Sequence, residues 1–340
     1  MTKTSVMLSV AFATAFALST QARAEDPIEL KLATFEPPGA FAASEILQAW
    51  ADRVNEDSGG RLNVKVFAGG VLGAPPQQYD IVKGGVADIA WTVLGYIGGQ
   101  FPLSSVVDLP FLTETSVGAT RALNTLHAEG YLDAEFEGVR NLGMHTMHAY
   151  QFHFTEEEVT KASQFAGLKM RVPSKIMGDI FTKLGATPVR VPAPGTYEAL
   201  QRGVLDGTPF PWAAVSSFRL GDVTQYHLEI NVSNTSFALL MNEDKYNSLP
   251  DDLKEVLDAN SGHAFGDWAS ALIDANDAKQ SDVIGALEGH SVSVVSDGDL
   301  AEFKTLLAPI VDDWLADMGS KDLAGDKVLA RAKEIIGEAE

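Results

Sequence analysis

The chain has 340 residues, 46% of them hydrophobic, and its formal net charge at pH 7 is −21. This acidic balance excludes a nucleic-acid-binding surface, because no basic stripe is available to neutralise phosphates, and it disfavours anionic membrane surfaces. The sequence has no cysteine, which excludes disulfides, thiol nucleophiles, cysteine metal sites and a lipid-anchored cysteine. A chain of this length can bury a large core without such links, and we predict two domains.

The first residues have the pattern of a secretory signal. Lys3 gives a positive start, residues 6–18 form an apolar run too short to span a membrane, and residues 22–24 match an A-x-A cleavage site. We therefore predict a cleavable signal peptide over residues 1–24, and a mature chain that begins at Glu25. Removal of the two basic residues of this segment lowers the formal net charge to −23.

Strand and helix signals alternate along the next part of the chain. Ile28, Leu30 and Leu32 alternate with polar residues, as in a strand with one apolar face, and a helical pattern follows over residues 41–55. This order recurs and then begins again in a second unit. It predicts an α/β protein with two mostly parallel sheets covered by helices on both faces. An apolar strand near residues 236–241 is predicted to return to the first unit.

The last part of the chain is predicted to be helical. Residues 251–289 form a long helical region that is interrupted near Gly262. Ser296 and Asp299 then give a capping pattern, and Pro309 is expected to kink the helix that follows. The apolar stripe of this helix, which we assign to the core, comprises Leu300, Phe303, Leu307, Ile310 and Trp314.

Residues 167–207 are the most informative stretch. Apolar residues such as Met170 alternate with polar ones up to Pro173, which limits continuation of a strand. Arg171 therefore lies at a strand end, a common place for a ligand contact in an α/β domain. Its guanidinium presents a fork of donors that matches a carboxylate. The alternative is a surface arginine in an ion pair.

The run Gly-Leu-Lys-Met-Arg-Val-Pro at residues 167–173 and the segment at 197–207 resemble the substrate-binding proteins of TRAP transporters, the DctP-type periplasmic receptors. Further motifs agree with the family pattern in order and spacing, at residues 30–34, 58–62, 67–73 and 108–112. The resemblance covers about residues 28–257. It implies a two-domain type II periplasmic-binding fold, with a hinged cleft and a long helix that spans both domains.

The implied domains are discontinuous. Domain I is expected to comprise residues 25–147 plus about 236–275, and domain II residues 148–235 plus about 276–340. Clefts at domain interfaces are the usual ligand sites of such proteins.

The resemblance also implies a receptor that is not an enzyme. It would be a monomer in the periplasm that captures a small organic acid and delivers it to separate TRAP integral-membrane subunits, with no cofactor and no membrane anchor of its own. Three alternatives stay open: a dicarboxylate-binding member, a receptor that docks on a sensor domain, and a periplasmic enzyme.

The resemblance assigns the ligand carboxylate to the arginine of G-x-K-x-R, here Arg171. Two departures from the family pattern concern the rest of the ligand. Residues 145–153 contain no arginine, where many members carry one that faces ligand, and residues 208–212 read Thr-Pro-Phe-Pro-Trp instead of Gln-Glu-Asn-Pro. The changes remove polar partners and add aromatic ones. They favour a monocarboxylate with an apolar or aromatic body, or a 2-oxo acid, over C4-dicarboxylates and sialic-acid-like polyols.

Aromatic residues are the candidate walls of this site, although each of them can equally fill a core. The candidates are Phe35, Trp91, Tyr150, Phe210 and Trp212. Some relatives that bind 2-oxo acids use an acid-Trp step and a glutamine to hold a cation. Gln151 and Trp212 are present here, but Pro211 offers no carboxylate, so no bound metal is expected.

Three histidines lie close together in the sequence, at His145, His148 and His153. Their spacings of three and five place neighbouring members on opposite faces of a strand, and no zinc-binding motif occurs. We therefore predict no metal here. His148 is the candidate for a hydrogen bond to ligand.

Overall fold

Two β-sheets organise the chain in the computed structural model, which describes residues 26–339. The predicted signal peptide lies outside the described residues. The strands, in chain order, are β1 (Ile28–Ala33), β2 (Leu62–Phe67), β3 (Ile89–Val93), β4 (Val139–Thr146), β5 (Gln151–Phe154), β6 (Lys169–Val172), β7 (Thr187–Arg190), β8 (Gly207–Phe210), β9 (Tyr226–Glu229), β10 (Ser236–Asn242) and β11 (Ser291–Val294).

Helices cover both sheets. A π-helical segment, Ala42–Gln48, leads directly into the first α-helix. The α-helices are α1 (Ala49–Asp57), α2 (Gln78–Lys83), α3 (Ser116–Ala128), α4 (Lys175–Lys183), α5 (Thr196–Gln201), α6 (Trp212–Ser217), α7 (Glu243–Asn247), α8 (Asp251–Ala259), α9 (His263–Gly285), α10 (Asp297–Leu307), α11 (Pro309–Ser320) and α12 (Gly325–Ala339).

The first sheet has the strand order β2-β1-β3-β10-β4 and defines what we call the first lobe. Strand β1 pairs in parallel with β2 and β3, whereas β10 is antiparallel to both of its neighbours. Six of the seven residues of β10 are buried, which explains its continuous apolar sequence. The predicted return of this strand to the first unit is confirmed.

The second sheet has the order β11-β9-β5-β8-β6-β7 and defines the second lobe. Strand β5 is antiparallel to β8 and β9, while β6 is parallel to β7 and β8. In each sheet a single strand, β10 in the first and β5 in the second, runs opposite to all the others, so both sheets are mixed but mostly parallel, as predicted. Each reversed strand directly follows a crossing of the chain between the lobes, from β4 to β5 and from β9 to β10.

The long helix expected from the sequence is α9. Its 23 residues extend for about 34 Å, so it can reach both lobes. It packs against α3 and β4 of the first lobe and against α6 of the second. The predicted interruption before it is confirmed at Gly262, whose φ of +57° suits glycine and whose N–H donates to the Leu142 carbonyl at 2.8 Å.

The C-terminal helices follow the sequence pattern closely. The Ser296 hydroxyl accepts from the Asp299 N–H at 3.2 Å at the start of α10, and Pro309 is the first residue of α11. Phe303 and Leu307 are fully buried, as predicted for the apolar stripe. Helices α10 and α11 pack on α4, while α12 packs on α3 of the first lobe. The exact boundaries of domains I and II stay a prediction.

Candidate functional site

A cavity lies between the two lobes, where loops that follow β1 and β3 face β6, β8 and α6. Its unfilled space, open solvent included, is about 310 Å³. Its lining consists of Phe35, Glu36, Val93, Tyr96, Met147, Tyr150, Arg171, Ala193, Phe210, Pro211, Ala214, Phe218 and Phe237. Most of these side chains are apolar, so the few polar groups decide what the cavity can bind.

Arg171 reaches the cavity from β6, which lies between β7 and β8 in the second sheet. Its side chain is buried, with 1% of the residue surface exposed. Nε donates to the Val191 carbonyl at 2.9 Å, and Nη2 donates to the Tyr96 hydroxyl at 2.8 Å. These contacts orient the guanidinium plane.

Among residues 26–339, no carboxylate forms an ion pair with Arg171, and its hydrogen-bond acceptors are all neutral. Arginine stays protonated in proteins, so the site contains a buried positive charge without a protein counterion. Such a charge is costly, by several kcal/mol in typical proteins, until an anion enters. The guanidinium carbon also lies 4.3 Å from the centroid of the Phe210 ring, which offsets part of this cost by a cation–π contact.

Tyr96 lies beside Arg171 and comes from the turn after β3 in the first lobe. Its hydroxyl accepts hydrogen bonds from Arg171 Nη2 and, at 2.9 Å, from the Ala193 N–H. A hydroxyl oxygen has two acceptor positions and one hydrogen, so these bonds leave the hydrogen free to donate. Burial raises the pKa of Tyr96, which keeps that hydrogen in place. Arg171 and Tyr96 thus present convergent donors for a carboxylate.

Three predicted wall residues line the cavity together with Arg171. Phe35 is 5.9 Å from Tyr96 between ring centroids, and Tyr150 is 6.3 Å from Phe210 in an edge-to-face arrangement. Burial raises the pKa of Tyr150 to about 12, so its phenol stays neutral. The structure therefore brings Phe35, Tyr150, Phe210 and Arg171 to one site.

The two predicted tryptophans lie elsewhere. Trp91 is fully buried behind Phe35, and its indole N–H donates to His145 Nε2 at 2.8 Å. Trp212 packs edge-on against His153, and its indole N–H donates to Glu229 Oε1 at 3.2 Å. Neither side chain lines the cavity, because each indole satisfies its N–H inside its own lobe. A contact of Trp91 or Trp212 with ligand therefore stays a prediction.

Gln151 and His148 are also occupied by structural contacts. Gln151 Oε1 accepts from the backbone N–H groups of Ile230 and Asn231, at 2.7 and 3.1 Å, and so joins β5 to the end of β9. His148 Nδ1 lies 2.8 Å from Asp274 Oδ1 on α9. Although burial lowers the pKa of His148, the hydrogen bond to Asp274 and nearby carboxylates raise it overall. Neither residue lines the cavity.

Sequence reasoning missed Glu36 and Tyr96, the two further polar residues of the lining. Glu36 is 3% exposed, and burial raises its pKa to about 8. Both residues follow strands of the first sheet, in segments where α/β proteins commonly bind ligands, and this position is the signal that could have identified them. Sequence reasoning also missed the lining residues Met147, Phe218 and Phe237, which have the apolar character of ordinary core residues.

The histidines form two structural groups. His145 bonds to Trp91, whereas His153, His227 and His290 form a chain with nitrogen–nitrogen distances of 2.8 and 2.9 Å. Burial lowers the pKa of both His145 and His153 to about 4. Within the described part of the chain, no group of three or more His, Cys, Asp or Glu side chains has an arrangement that could hold a metal ion.

None of the helices between residues 26 and 339 combines the length and the apolar character needed to cross a membrane. The fold and the site together define a class: a two-lobed solute receptor with a buried arginine in the cavity between its lobes. Residues 33–317 match the model of bacterial extracellular solute-binding protein, family 7 (DctP), and the chain belongs to this family.

Solved structures of TRAP solute-binding proteins are similar to this chain over most of its length. One from Rhodoferax ferrireducens T118, in complex with copurified benzoate, has a TM-score of 0.88 and 30% identity, and covers 92% of this chain and 98% of its own. A marine metagenome protein specific for aromatic acid ligands, with 3-hydroxybenzoate, has the same TM-score and identity, with coverages of 92% and 99%. A third, from Bordetella bronchiseptica with bound (R)- and (S)-mandelate, has a TM-score of 0.86 and 26% identity, with coverages of 92% and 100%. The predicted fold and family are confirmed.

Proposed function

We propose that this protein captures an organic monocarboxylate with an aromatic body in the periplasm and delivers it to separate TRAP membrane subunits. The observation that carries the proposal is the buried Arg171 guanidinium, which has no carboxylate partner among the described residues and faces a cavity between the lobes. An anionic head group supplies the missing counterion. Tyr96 adds a second donor to the same group.

The walls of the cavity support the aromatic part of the proposal. Phe35, Phe210, Phe218 and Phe237 surround the space beside Arg171. Aromatic pairs gain from edge-to-face and offset contacts in addition to the area they bury, so a ligand ring suits this lining. The relatives that bind benzoate, 3-hydroxybenzoate and mandelate have the same fold at 26–30% identity, which also favours a ring-bearing acid.

The polar side chains that line the cavity disfavour a dicarboxylate ligand. Within the described residues, Arg171 is the single Lys or Arg side chain of the lining. A second ligand carboxylate would therefore enter a desolvated site without a second cation, and that is costly. Sugar-derived acids would likewise leave several hydroxyl groups against phenyl rings.

Closure of the lobes gives the proposed mechanism of capture. Arg171 and Ala193 belong to the second lobe and both bond to Tyr96 of the first, so closure completes the carboxylate site. Closure also removes water from the ion pair, which strengthens its attraction. Delivery then requires opening at separate membrane subunits, and the receptor itself carries out no chemical step.

The test is a ligand screen on the purified mature protein by thermal shift, followed by titration calorimetry. Benzoate and mandelate represent aromatic monoacids, succinate and fumarate represent diacids, and recovery of unchanged ligand tests for turnover. Aromatic monoacids should raise the melting temperature, and the ligand should be recovered intact. A response to diacids alone would overturn the proposed ligand class, and formation of a product would overturn the receptor role.

A further inference from the structure

Glu36 places a second polar group in the cavity, in a position that its backbone holds firmly. It follows β1, and its N–H donates to Thr34 Oγ1 at 3.2 Å. Its carbonyl accepts from the Gly69 N–H at 2.7 Å. Gly69 has a φ of +73°, which glycine adopts readily, so the loop after β2 can supply this N–H. These two hydrogen bonds hold the Glu36 backbone in place, and its side chain lines the cavity.

The Glu36 carboxyl group has no hydrogen-bond partner and no ion pair within residues 26–339. Buried polar side chains in native structures nearly always have a partner, and an unpaired one is costly. Burial alone raises the pKa of Glu36 to about 8, so the group is a neutral carboxylic acid at neutral pH. In that form it offers one O–H donor and one carbonyl acceptor to the cavity.

Glu36 enters the cavity from the loop after β1, whereas Arg171 lies in β6 and Tyr96 follows β3. Glu36 lines the same cavity as Arg171 and Tyr96, but within residues 26–339 it forms no ion pair with Arg171. The cavity thus has a cationic point at Arg171 and a separate neutral polar point at Glu36. Aromatic side chains occupy much of the remaining lining, including Phe35 and Phe237.

We propose that Glu36 recognises a hydroxyl group on the captured acid, so that the substrates of this receptor are hydroxylated aromatic monocarboxylates. This inference rests on the proposed function. A carboxylic acid and a hydroxyl group each donate and accept one hydrogen bond, so they can pair reciprocally. An unsubstituted ring leaves Glu36 unpaired, and sites built to bond a substrate hydroxyl reject analogues that lack it. A second ligand carboxylate would gain no cation at this point.

The experiment is titration calorimetry of the mature protein with benzoate and with 2-, 3- and 4-hydroxybenzoate. At least one hydroxylated isomer should bind about 10-fold or more tightly than benzoate. Glu36→Met keeps the length of the side chain and removes its hydrogen bonding. This variant should lose the preference, with the preferred isomer weakened about 10-fold more than benzoate.

Glu36→Gln is the matched control, because the amide also donates and accepts. It should retain most of the preference, and a circular dichroism spectrum establishes that both variants fold. Equal weakening of benzoate and hydroxybenzoates in Glu36→Met would place Glu36 at the ligand carboxylate and overturn the inference. Equal affinities of the wild type for benzoate and all three isomers would overturn it while the proposed function stands. If no aromatic acid binds the wild type, the proposed function and the inference both fail.

Discussion

Arg171 Nη2 donates to the Tyr96 hydroxyl at 2.8 Å, across the boundary between the two lobes. Arg171 lies in a strand of the second sheet, and Tyr96 follows a strand of the first. The same hydroxyl accepts from Ala193 of the second lobe. The contact therefore depends on lobe closure, and it orients two donors toward one point in the cavity. In the proposed function, this pair couples capture of an acid to closure of the lobes.

The first prediction concerns the charge of Arg171. Arg171→Ala should weaken binding of an aromatic acid about 100-fold or more, because removal of one partner of a buried, hydrogen-bonded ion pair typically costs about 2–5 kcal/mol. Arg171→Lys keeps the charge but loses the fork of donors, and should weaken binding about 10-fold. Calorimetry checks both variants. Arg202→Ala is the control, because the Arg202 side chain is 69% exposed. Wild-type affinity in Arg171→Ala would contradict the assignment.

The second prediction concerns the Tyr96 hydroxyl. Tyr96→Phe removes the free donor and also the acceptor that orients Arg171, so binding should weaken about 10-fold. The aromatic ring stays, and the protein should fold. Tyr246→Phe is a matched control, since the Tyr246 hydroxyl bonds to Asp258 instead of lining the cavity. Equal effects of the two variants on affinity would show that Tyr96 makes no ligand contact of its own.

The third prediction concerns closure at Gly95. A Cβ atom at this position would lie 2.7 Å from Ser174 Cβ and 3.2 Å from the Pro173 carbonyl oxygen, both in the second lobe. Gly95→Ala should therefore fold normally but resist closure, with binding weakened about 10-fold, as expected for a modest overpacking cost. Small-angle scattering should show less compaction on ligand addition than in the wild type.

Gly98→Ala is the control for this prediction, because a Cβ atom there meets nothing within 4 Å. It should bind and compact like the wild type. Normal compaction of Gly95→Ala would contradict the prediction, because it would mean that the segments around Gly95 and Ser174 accommodate the added methyl group at little cost.

The fourth prediction is a pH dependence of binding. Burial raises the pKa of Glu36 to about 8, so the group is neutral below that pH and negative above it. A negative Glu36 in a cavity that holds an anion is unfavourable, so affinity for benzoate should fall as pH rises through 8. Arg171 stays charged throughout, and burial raises the pKa of the neighbouring Tyr96.

Calorimetry at pH 7 and pH 9 measures this effect, and the expected loss at pH 9 is about 10-fold for one group that must be neutral. Glu36→Gln cannot ionise and should show a flat profile over the same range. A wild-type profile as flat as that of the variant would refute the prediction.

The fifth prediction concerns the histidines. Burial lowers the pKa of His145 and His153 to about 4, whereas the bond to Asp274 and other nearby carboxylates raises that of His148 above its usual value. NMR titration of the imidazole resonances should give a higher pKa for His148 than for His145 and His153. Asp274→Asn should lower the pKa of His148 and leave that of His145 unchanged. Titration of His145 near its ordinary value would indicate that it is exposed to water.

Much of the fold is predictable from local patterns. The alternation at Ile28, Leu30 and Leu32 gives β1, and Pro309 gives the boundary between α10 and α11. Such features depend on residues close in sequence, whose periodicity shows directly which face is buried. The mostly parallel arrangement was predicted, but the reversal of β5 and β10 was not predictable in this way. It depends on how the chain crosses between the lobes, and the crossings bring together segments that are distant in sequence.

The candidate site likewise combines a feature that the local sequence predicts with one that depends on distant segments. The pattern around Arg171 places an arginine at a strand end, and the alternation continues to Val172 before Pro173. Nothing in that pattern shows that the arginine lacks a protein counterion. That property arises because Val191 and Tyr96, both distant in sequence, accept hydrogen bonds from the guanidinium, while no acidic residue within 26–339 forms an ion pair with it.

The sequence by itself determined the family, the alternating α/β elements and the arginine of the site. Tertiary structure alone decided which aromatic residues face the cavity: Phe35 does, while Trp91 packs behind it on His145. It also decided that Glu36 is buried without a partner. The physical reason is that hydrophobicity is a property of a residue, whereas burial, hydrogen bonding and pKa depend on neighbours that only the folded chain supplies.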